Sequence, residues 1–259
     1  AAAFILGSLL LPSSVSAQFN WPYKVTNGKA VTEVPVRAAG QESALNMTTP
    51  KLKIVRVAFV GLGMRGHDAV ERWTHIPGIQ VMALCDYERD RAERCQEYLR
   101  KASMPAADIY SGEDGYKELC KRKDIDLVYI APDWKHHFLV AYEAMNNGKH
   151  VAVEVPAAMN LTEIWKLIDI SEKKRLHCMM LENCCYDFFE LNSLNMAQKD
   201  VFGEILYVQG AYRHELSKFW DAYWKKDAQD KLGWRLDYNQ KFRGDVYATH
   251  GLGPIAQVL

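Results

Sequence analysis

Between residues 51 and 200, short apolar runs rich in β-branched residues alternate with charged, amphipathic stretches. The runs read as strands over 54–60 (IVRVAFV), 79–86, near Ile109, and over 125–131 (IDLVYIA), 149–154 and 176–182. The stretches between them read as helices over 65–75, 89–101, 113–122, 137–147 and 161–174. Strands buried on both faces carry unbroken apolar runs, and helical crossovers join parallel strands. The pattern therefore predicts an α/β fold, a doubly wound parallel sheet with helices on both faces. After about residue 200 the pattern changes. Residues 202–213 (FGEILYVQGAYR) partly alternate, which predicts a long strand. An aromatic-rich stretch follows, with Trp220, Tyr223, Trp224, Trp234 and Tyr238. This reads as the start of a second, α+β sheet domain, whose aromatics stack on a sugar or pack the sheet. The last residues, GLGPIAQVL, look like the opening of a further helix, so this domain is expected to be incomplete.

The ends and the composition narrow the picture. Residues 1–17 (AAAFILGSLLLPSSVSA) carry an apolar stretch, small residues and a V-S-A pattern before Gln18. That is the expected remnant of an export signal, which would make the protein periplasmic or secreted; without such a signal it would be cytoplasmic. Residues 18–50 read as a polar leader or linker, 51–185 as the doubly wound domain and 186–259 as the start of the second. Lys+Arg and Asp+Glu both number 32, with no basic stripe, which argues against nucleic acid as a partner. The apolar N-terminal run is too short for a membrane span. The six cysteines form no CxxC and no zinc spacing, so no metal is expected; most read as core thiols, and export would expose some of them to oxidation.

The first strand runs directly into Gly61-x-Gly63-x-x-Gly66. In a strand–turn–helix unit the first glycine permits the tight turn, the second lets backbone approach a pyrophosphate, and the third lets the helix sit close on the strand. The phosphates then meet a helix N-terminus, whose N–H groups and dipole favour anions. Asp86 ends the second strand about 20 residues on, where a carboxylate holds the adenosine ribose. The spacing predicts a dinucleotide site.

Other polar residues cluster where strands end, the edge at which such sheets bind ligands. Asp133, Trp134, Lys135, His136 and His137 follow one strand; either histidine faces the nicotinamide or simply adjoins a helix cap. Glu154-Val155-Pro156 closes the next strand, with a carboxylate for a hydroxyl and a proline that makes a turn or a cis bond. Glu182-Asn183-Cys184-Cys185-Tyr186-Asp187 closes the last strand; Asn183 offers an amide and Tyr186 a phenol that acts as a base where nearby charge lowers its pKa. Further on, Arg235 and the run Gly244–Gly251 stand out. His250 there exchanges protons near neutrality or caps a helix.

Together these segments resemble the glucose–fructose oxidoreductase/inositol dehydrogenase (Gfo/Idh/MocA) family, through VAFVGLGMRG, Pro132 to His136 and GKHVAVEVP. That family usually has Glu-Lys-Pro where this chain has Glu154-Val155-Pro156, and its lysine assists proton transfer. EVPAA, HCMMLENCCYDFFEL, LNMAQ, VFGEIL, WRLDYN and GDVYATHGLGP look like one branch, glycoside hydrolase family 109, the NAD-dependent α-N-acetylgalactosaminidases. The resemblance covers about residues 51–259. It implies NAD held by Gly61, Gly63, Met64, Arg65, Gly66, Asp86, Trp134, Lys135, His136, His137, Glu154, Val155 and Asn183. It implies a sugar held by Tyr212, Arg235, Tyr247, Ala248, Thr249 and His250, with Tyr186, His250 and Tyr247 as acid–base candidates. The implied reaction hydrolyses a glycan ending in α-GalNAc by transient oxidation at C3, elimination, water addition and re-reduction, outside the two-carboxylate pattern of most glycosidases. Two alternatives stay open: an NAD-dependent sugar dehydrogenase, and a carbohydrate-binding protein without turnover. A homo-oligomer is compatible with all three.

Overall fold

A computed structural model of the chain describes residues 23–32, 34–215, 217–219, 233–242 and 248–259. The segment 1–17 read as a signal lies outside the described residues, as do Trp220, Tyr223, Trp224 and Tyr247. No helix among the described residues is long and apolar enough to cross a membrane.

The chain enters through a hairpin of β1 (Tyr23–Thr26) and β2 (Lys29–Thr32). Its turn is Asn27-Gly28, both at positive φ, the conformation that two-residue hairpins require. The stretch 18–50, which reads as a polar leader or linker, thus contains a hairpin, and its signal is the Asn-Gly pair between two β-rich tetrads. The segment beyond it is fastened to the domain by Arg37, which meets Glu172 through two hydrogen bonds of 2.9 and 2.8 Å.

Six parallel strands follow: β3 (Val55–Val60), β4 (Ile79–Asp86), β5 (Asp108–Ser111), β6 (Leu127–Ile130), β7 (His150–Val153) and β8 (Cys178–Met180). They lie in the order β5-β4-β3-β6-β7-β8. Crossover helices join them: α1 (Met64–Thr74), α2 (Arg89–Lys101), α3 (Gly115–Cys120), α4 (Trp134–Asn146) and α5 (Leu161–Lys174). The predicted doubly wound α/β fold is thus observed. The order reverses between β3 and β6, which opens a crevice at the carboxyl edge of those strands.

Residue alternation along the strands explains why both faces are covered. Val57, Phe59, Leu84 and Tyr129 pack into a core with α1 and α2. Ala58, Val60, Val128 and Ile130 point the other way into a core with α3, α4 and α5. Each large apolar side chain buried in this way contributes roughly 1.5–3 kcal/mol. All six cysteines are free; Cys85, Cys95, Cys120 and Cys185 are buried while Cys178 and Cys184 are half-buried, and burial pushes Cys85 and Cys120 up to about 12.

The expected helix over 137–147 begins three residues earlier, at Trp134. The reason is Asp133, whose carboxylate accepts the His136 N–H at 3.1 Å and so caps the first turn.

The larger difference lies beyond β8. A 3-10 turn (Asn183–Tyr186) leads into α6 (Phe188–Gln198), and α7 (Trp234–Lys241) and α8 (Thr249–Val258) come later. The strand predicted over 202–213 does not form. A strand is held by its neighbours, and no strand among the described residues lies beside this one to take its ladder hydrogen bonds. Leu206 and Tyr207 are accordingly exposed. Among the described residues the region after 186 supplies helices rather than the expected sheet, and Trp234 and Tyr238 sit on a helix.

Candidate active site

The crevice is a cleft of about 1380 Å³ whose walls come from the glycine loop, the ends of β4, β6 and β7, the 3-10 turn, and α7 and α8. The glycine loop shows what each glycine does. Gly61 has φ +86, and a Cβ there would lie 2.2 Å from the Pro132 nitrogen. A Cβ on Gly66 would lie 1.8 Å from the Gly61 carbonyl oxygen. These two make the turn and the close helix–strand approach. Gly63 is different: a Cβ there meets nothing within 4 Å. Helix α1 also starts without a side-chain cap, so its first N–H groups remain for an anion. An open cradle before an uncapped helix fits a pyrophosphate.

At the end of β4, the buried Asp86 takes the Leu62 N–H at 2.6 Å with one oxygen and the Glu88 N–H at 3.0 Å with the other. Arg91 approaches the same carboxylate at 3.4 Å. Asp86 therefore stiffens the glycine loop as well as presenting charge to the cleft.

At the end of β7, Glu154 is buried and gripped from two sides. Arg65 reaches Oε1 from the glycine loop at 2.8 Å, and the Tyr129 hydroxyl donates to the same oxygen at 2.5 Å. Burial, and then the charge and hydrogen bond of Glu154, raise the Tyr129 phenol well above its ordinary value, so it stays a donor. The next peptide, Val155–Pro156, is cis.

The two histidines of α4 are not equivalent. His136 lines the cleft and pairs with Asp133 through Nδ1 at 2.6 Å; that hydrogen bond, against the opposing effect of burial, raises its pKa. His137 is buried against the Pro156 carbonyl at 2.7 Å, and burial lowers its pKa despite that hydrogen bond. His136 is thus the one biased toward the cation, and His137 toward the neutral ring.

The far wall is aromatic and basic. The Arg235 guanidinium lies 4.8 Å from the Trp134 ring and 5.2 Å from the Trp234 ring. Trp134, at the start of α4, also meets the Tyr238 ring edge-on at 5.1 Å. The Tyr212 ring lies 4.5 Å from the His250 ring. This proximity depends on Gly210, where a Cβ would lie 2.5 Å from the Gly251 carbonyl oxygen. His250, the second residue of α8, is buried and hydrogen-bonded through Nδ1 to Glu182.

Most residues singled out from the sequence converge here. Gly61, Gly63, Met64, Arg65, Asp86, Trp134, His136, His137, Glu154, Val155, Asn183, Tyr212, Arg235 and His250 all line the cleft. Gly66 supports the loop from behind, and Lys135 is exposed on α4. Ala248 and Thr249 adjoin His250 without lining the cleft. Tyr186 is 57% exposed and is not part of the lining, although Asn183, Cys184 and Asp187 beside it are. Two residues missed from the sequence stand behind the site: Tyr129, hidden inside an apolar strand, and Glu182, which had no assigned role. Only the partner that each one meets marks it out.

Glu182, Cys184 and His250 also bring ligand-type atoms within 4.8 Å of one another. Within this group Glu182 and His250 are already paired with each other through Nδ1, and burial pushes the Cys184 thiol up to about 11.

Fold, glycine loop and strand-end acids define an NAD-binding Rossmann domain of the oxidoreductase type. Comparison with known proteins agrees: residues 55–182 match the model of an oxidoreductase family with an NAD-binding Rossmann fold, and residues 186–259 match the C-terminal domain of glycosyl hydrolase 109. Glycosyl hydrolase family 109 protein 5 of Phocaeicola vulgatus is 64% identical over 97% of this chain and 49% of its own length. A family 109 protein of Porphyromonas gingivalis is 56% identical over 91% of this chain and 50% of its own. Among solved structures, myo-inositol 2-dehydrogenase of Lactobacillus plantarum superposes with a TM-score of 0.51 at 21% identity, covering 60% of this chain and 44% of that one. The last likeness concerns the fold. The chain belongs to glycosyl hydrolase family 109, and it spans about half the length of the curated relatives it matches.

Proposed function

We propose that the protein hydrolyses α-N-acetylgalactosaminides with tightly retained NAD. One observation carries the reading: the glycine loop and Asp86 share a single cleft with Tyr212, Arg235 and His250. A dinucleotide wall and a polar, aromatic wall thus face one space.

The chain would hold NAD through the Gly63 cradle, Asp86 and the Trp134–His137 turn. NAD bound there supplies a temporary hydride acceptor for C3 of the sugar, which activates the neighbouring C2–H and loosens the bond at C1. The protein's own groups orient the sugar and handle protons. Arg235, braced on two indoles, holds hydroxyls or stabilises an enolate oxygen. His250 exchanges the proton of the C3 hydroxyl. Glu154, fixed by Tyr129 and Arg65, keeps a carboxylate at the cofactor's edge. We assign no step to Tyr186 from its exposed position.

Val155 weighs against simple dehydrogenation. It stands where the wider oxidoreductase family carries its proton-shuttling lysine, and it is a buried aliphatic side chain here. The test uses the full-length protein purified without added cofactor. Its bound nucleotide is released and identified, and it is assayed on α- and β-aryl glycosides while NADH is followed. Release of aryl alcohol from the α-GalNAc compound without net NADH supports the reading. Net NADH accumulating in step with sugar oxidation overturns it in favour of a dehydrogenase.

A further inference from the structure

Glu182 joins the end of the sheet to the functional wall. It follows β8, caps the 3-10 turn by accepting the Cys184 N–H at 3.1 Å, and meets His250 Nδ1 with the same oxygen, Oε1. The side chains of Glu182 and His250 are 5% and 6% exposed. Glu182 Oε2 is buried with no hydrogen-bond partner among the described residues. A buried carboxylate with half its capacity unused is costly, and it persists where a neighbour needs its charge.

The backbone is shaped to allow this pairing. Gly253 lies one turn beyond His250 on α8. A Cβ there would fall 2.8 Å from Glu182 Cγ and 2.9 Å from Cys185 Sγ. A larger residue there would force the Glu182 or Cys185 side chain, or α8 itself, to shift and so disturb the pairing. Glycine at this position and the carboxylate at 182 are independent observations of one built contact.

We propose that Glu182 is a positioning residue that sets the tautomer and orientation of His250 for proton exchange with the sugar. This rests on the cleft being the catalytic site proposed above. A carboxylate accepts, so Nδ1 carries the shared proton, and Nε2 becomes the accepting nitrogen of the neutral ring. Bound NAD would supply the hydride acceptor for the C3 carbon, and the residue's part is the proton: the hydroxyl oxygen would give it to Nε2. The imidazolium so formed lies against the Glu182 carboxylate, which balances its charge. The reverse transfer restores both groups at the end of the cycle.

The test compares wild type with Glu182→Gln, Glu182→Asp, His250→Ala and the Glu182→Gln/His250→Ala double variant, all as full-length protein. Nitrogen-15 NMR of the histidine rings reports the tautomer directly, without turnover. Wild type is expected to show His250 protonated at Nδ1, with that state weakened in Glu182→Gln. On an α-GalNAc aryl glycoside, Glu182→Gln should lower kcat by about 100-fold, the scale of one general acid–base group, with KM within about threefold and bound NAD retained. Glu182→Asp should recover part of the loss. The double variant should be no slower than His250→Ala, because Glu182 acts through the histidine. Wild-type kcat in Glu182→Gln, an Nε2-protonated His250 in wild type, or additive losses in the double variant would each overturn the proposal. So would a stoichiometric metal ion whose removal abolishes activity. If wild type cleaves no glycoside at all, the functional reading fails, while the NMR result still decides the pairing. A Glu182→Gln variant that does not fold leaves the decision to the wild-type tautomer.

Discussion

Tyr129 donates its hydroxyl to Glu154 from inside the sheet, across neighbouring strands β6 and β7, at 2.5 Å. The hydroxyl is almost fully buried beneath the carboxylate, and the ring belongs to a cluster with Phe59 and Trp73. The hydrophobic core thus reaches the cleft through one polar atom. Tyr129→Phe keeps the ring and removes that atom. It should cost about 1.5–3 kcal/mol of stability, since a hydrogen bond to a charged group is lost. Because Arg65 still holds Glu154, NAD affinity should fall by only about tenfold. Chemical denaturation and calorimetric NAD titration check the two numbers; unchanged stability would show that the hydroxyl is dispensable.

The glycines of the loop separate folding from binding. Gly63 has φ −68 and open space around its missing Cβ. Gly63→Ala should fold with wild-type stability and bind NAD at least about tenfold more weakly, roughly 1.4 kcal/mol, because the methyl enters the phosphate cradle. Gly66→Ala drives a methyl into the Gly61 carbonyl and should cost about 2–3 kcal/mol of stability or more. Thermal melts with and without NAD distinguish the two patterns. Equal effects would mean that the cradle is not where the phosphates lie.

Asp86 anchors the glycine loop and, in the proposed NAD site, would also discriminate between nucleotides. Asp86→Asn keeps an oxygen for the Leu62 N–H and removes the charge facing Arg91. NAD binding should weaken by about tenfold, and preference over the 2′-phosphorylated dinucleotide should shrink, because the repulsive carboxylate is gone and Arg91 is released toward a phosphate. Competition binding with both nucleotides reads this. An unchanged preference would place the adenosine ribose elsewhere.

Acid should release the N-terminal strap first. Glu172 is buried under Arg37, and Arg37's hydrogen bonds, opposed by burial and assisted by Gln41, hold its carboxyl at about 2 rather than the ordinary 4.5. A folded value below the unfolded one means a contribution fully present above about pH 4.5 and lost as pH falls toward 2. Amide exchange in residues 37–45 should therefore rise over that window before the core strands open. Glu172→Gln should show fast exchange there at every pH. A strap that stays protected down to pH 2 would contradict the pairing.

Much of the architecture could be read from local pattern alone. Strand and helix spans from 55 to 180, the covered faces of the sheet and the glycine loop all follow from the period of apolar residues and from what glycine permits, and both are properties of neighbours in the chain. Asp86, Glu154 and Asn183 were legible for a related reason: in a parallel sheet every strand delivers its last residue to the same edge. The Asn27-Gly28 hairpin was equally local and was masked by the polar residues around it.

Tertiary structure alone decided the rest. Alternation over 202–213 described a strand only in propensity, because a ladder needs a partner that local pattern does not supply. Tyr129 looked like one more apolar strand residue until Glu154 came within 2.5 Å, and His250 gained its carboxylate partner only by meeting Glu182, 68 positions away. Periodicity and turn chemistry depend on a few bonds along the backbone and can be read from residue order. The state of a titratable side chain depends on burial and on whichever charge folding brings against it, and for this chain only the packed cleft brings those partners together.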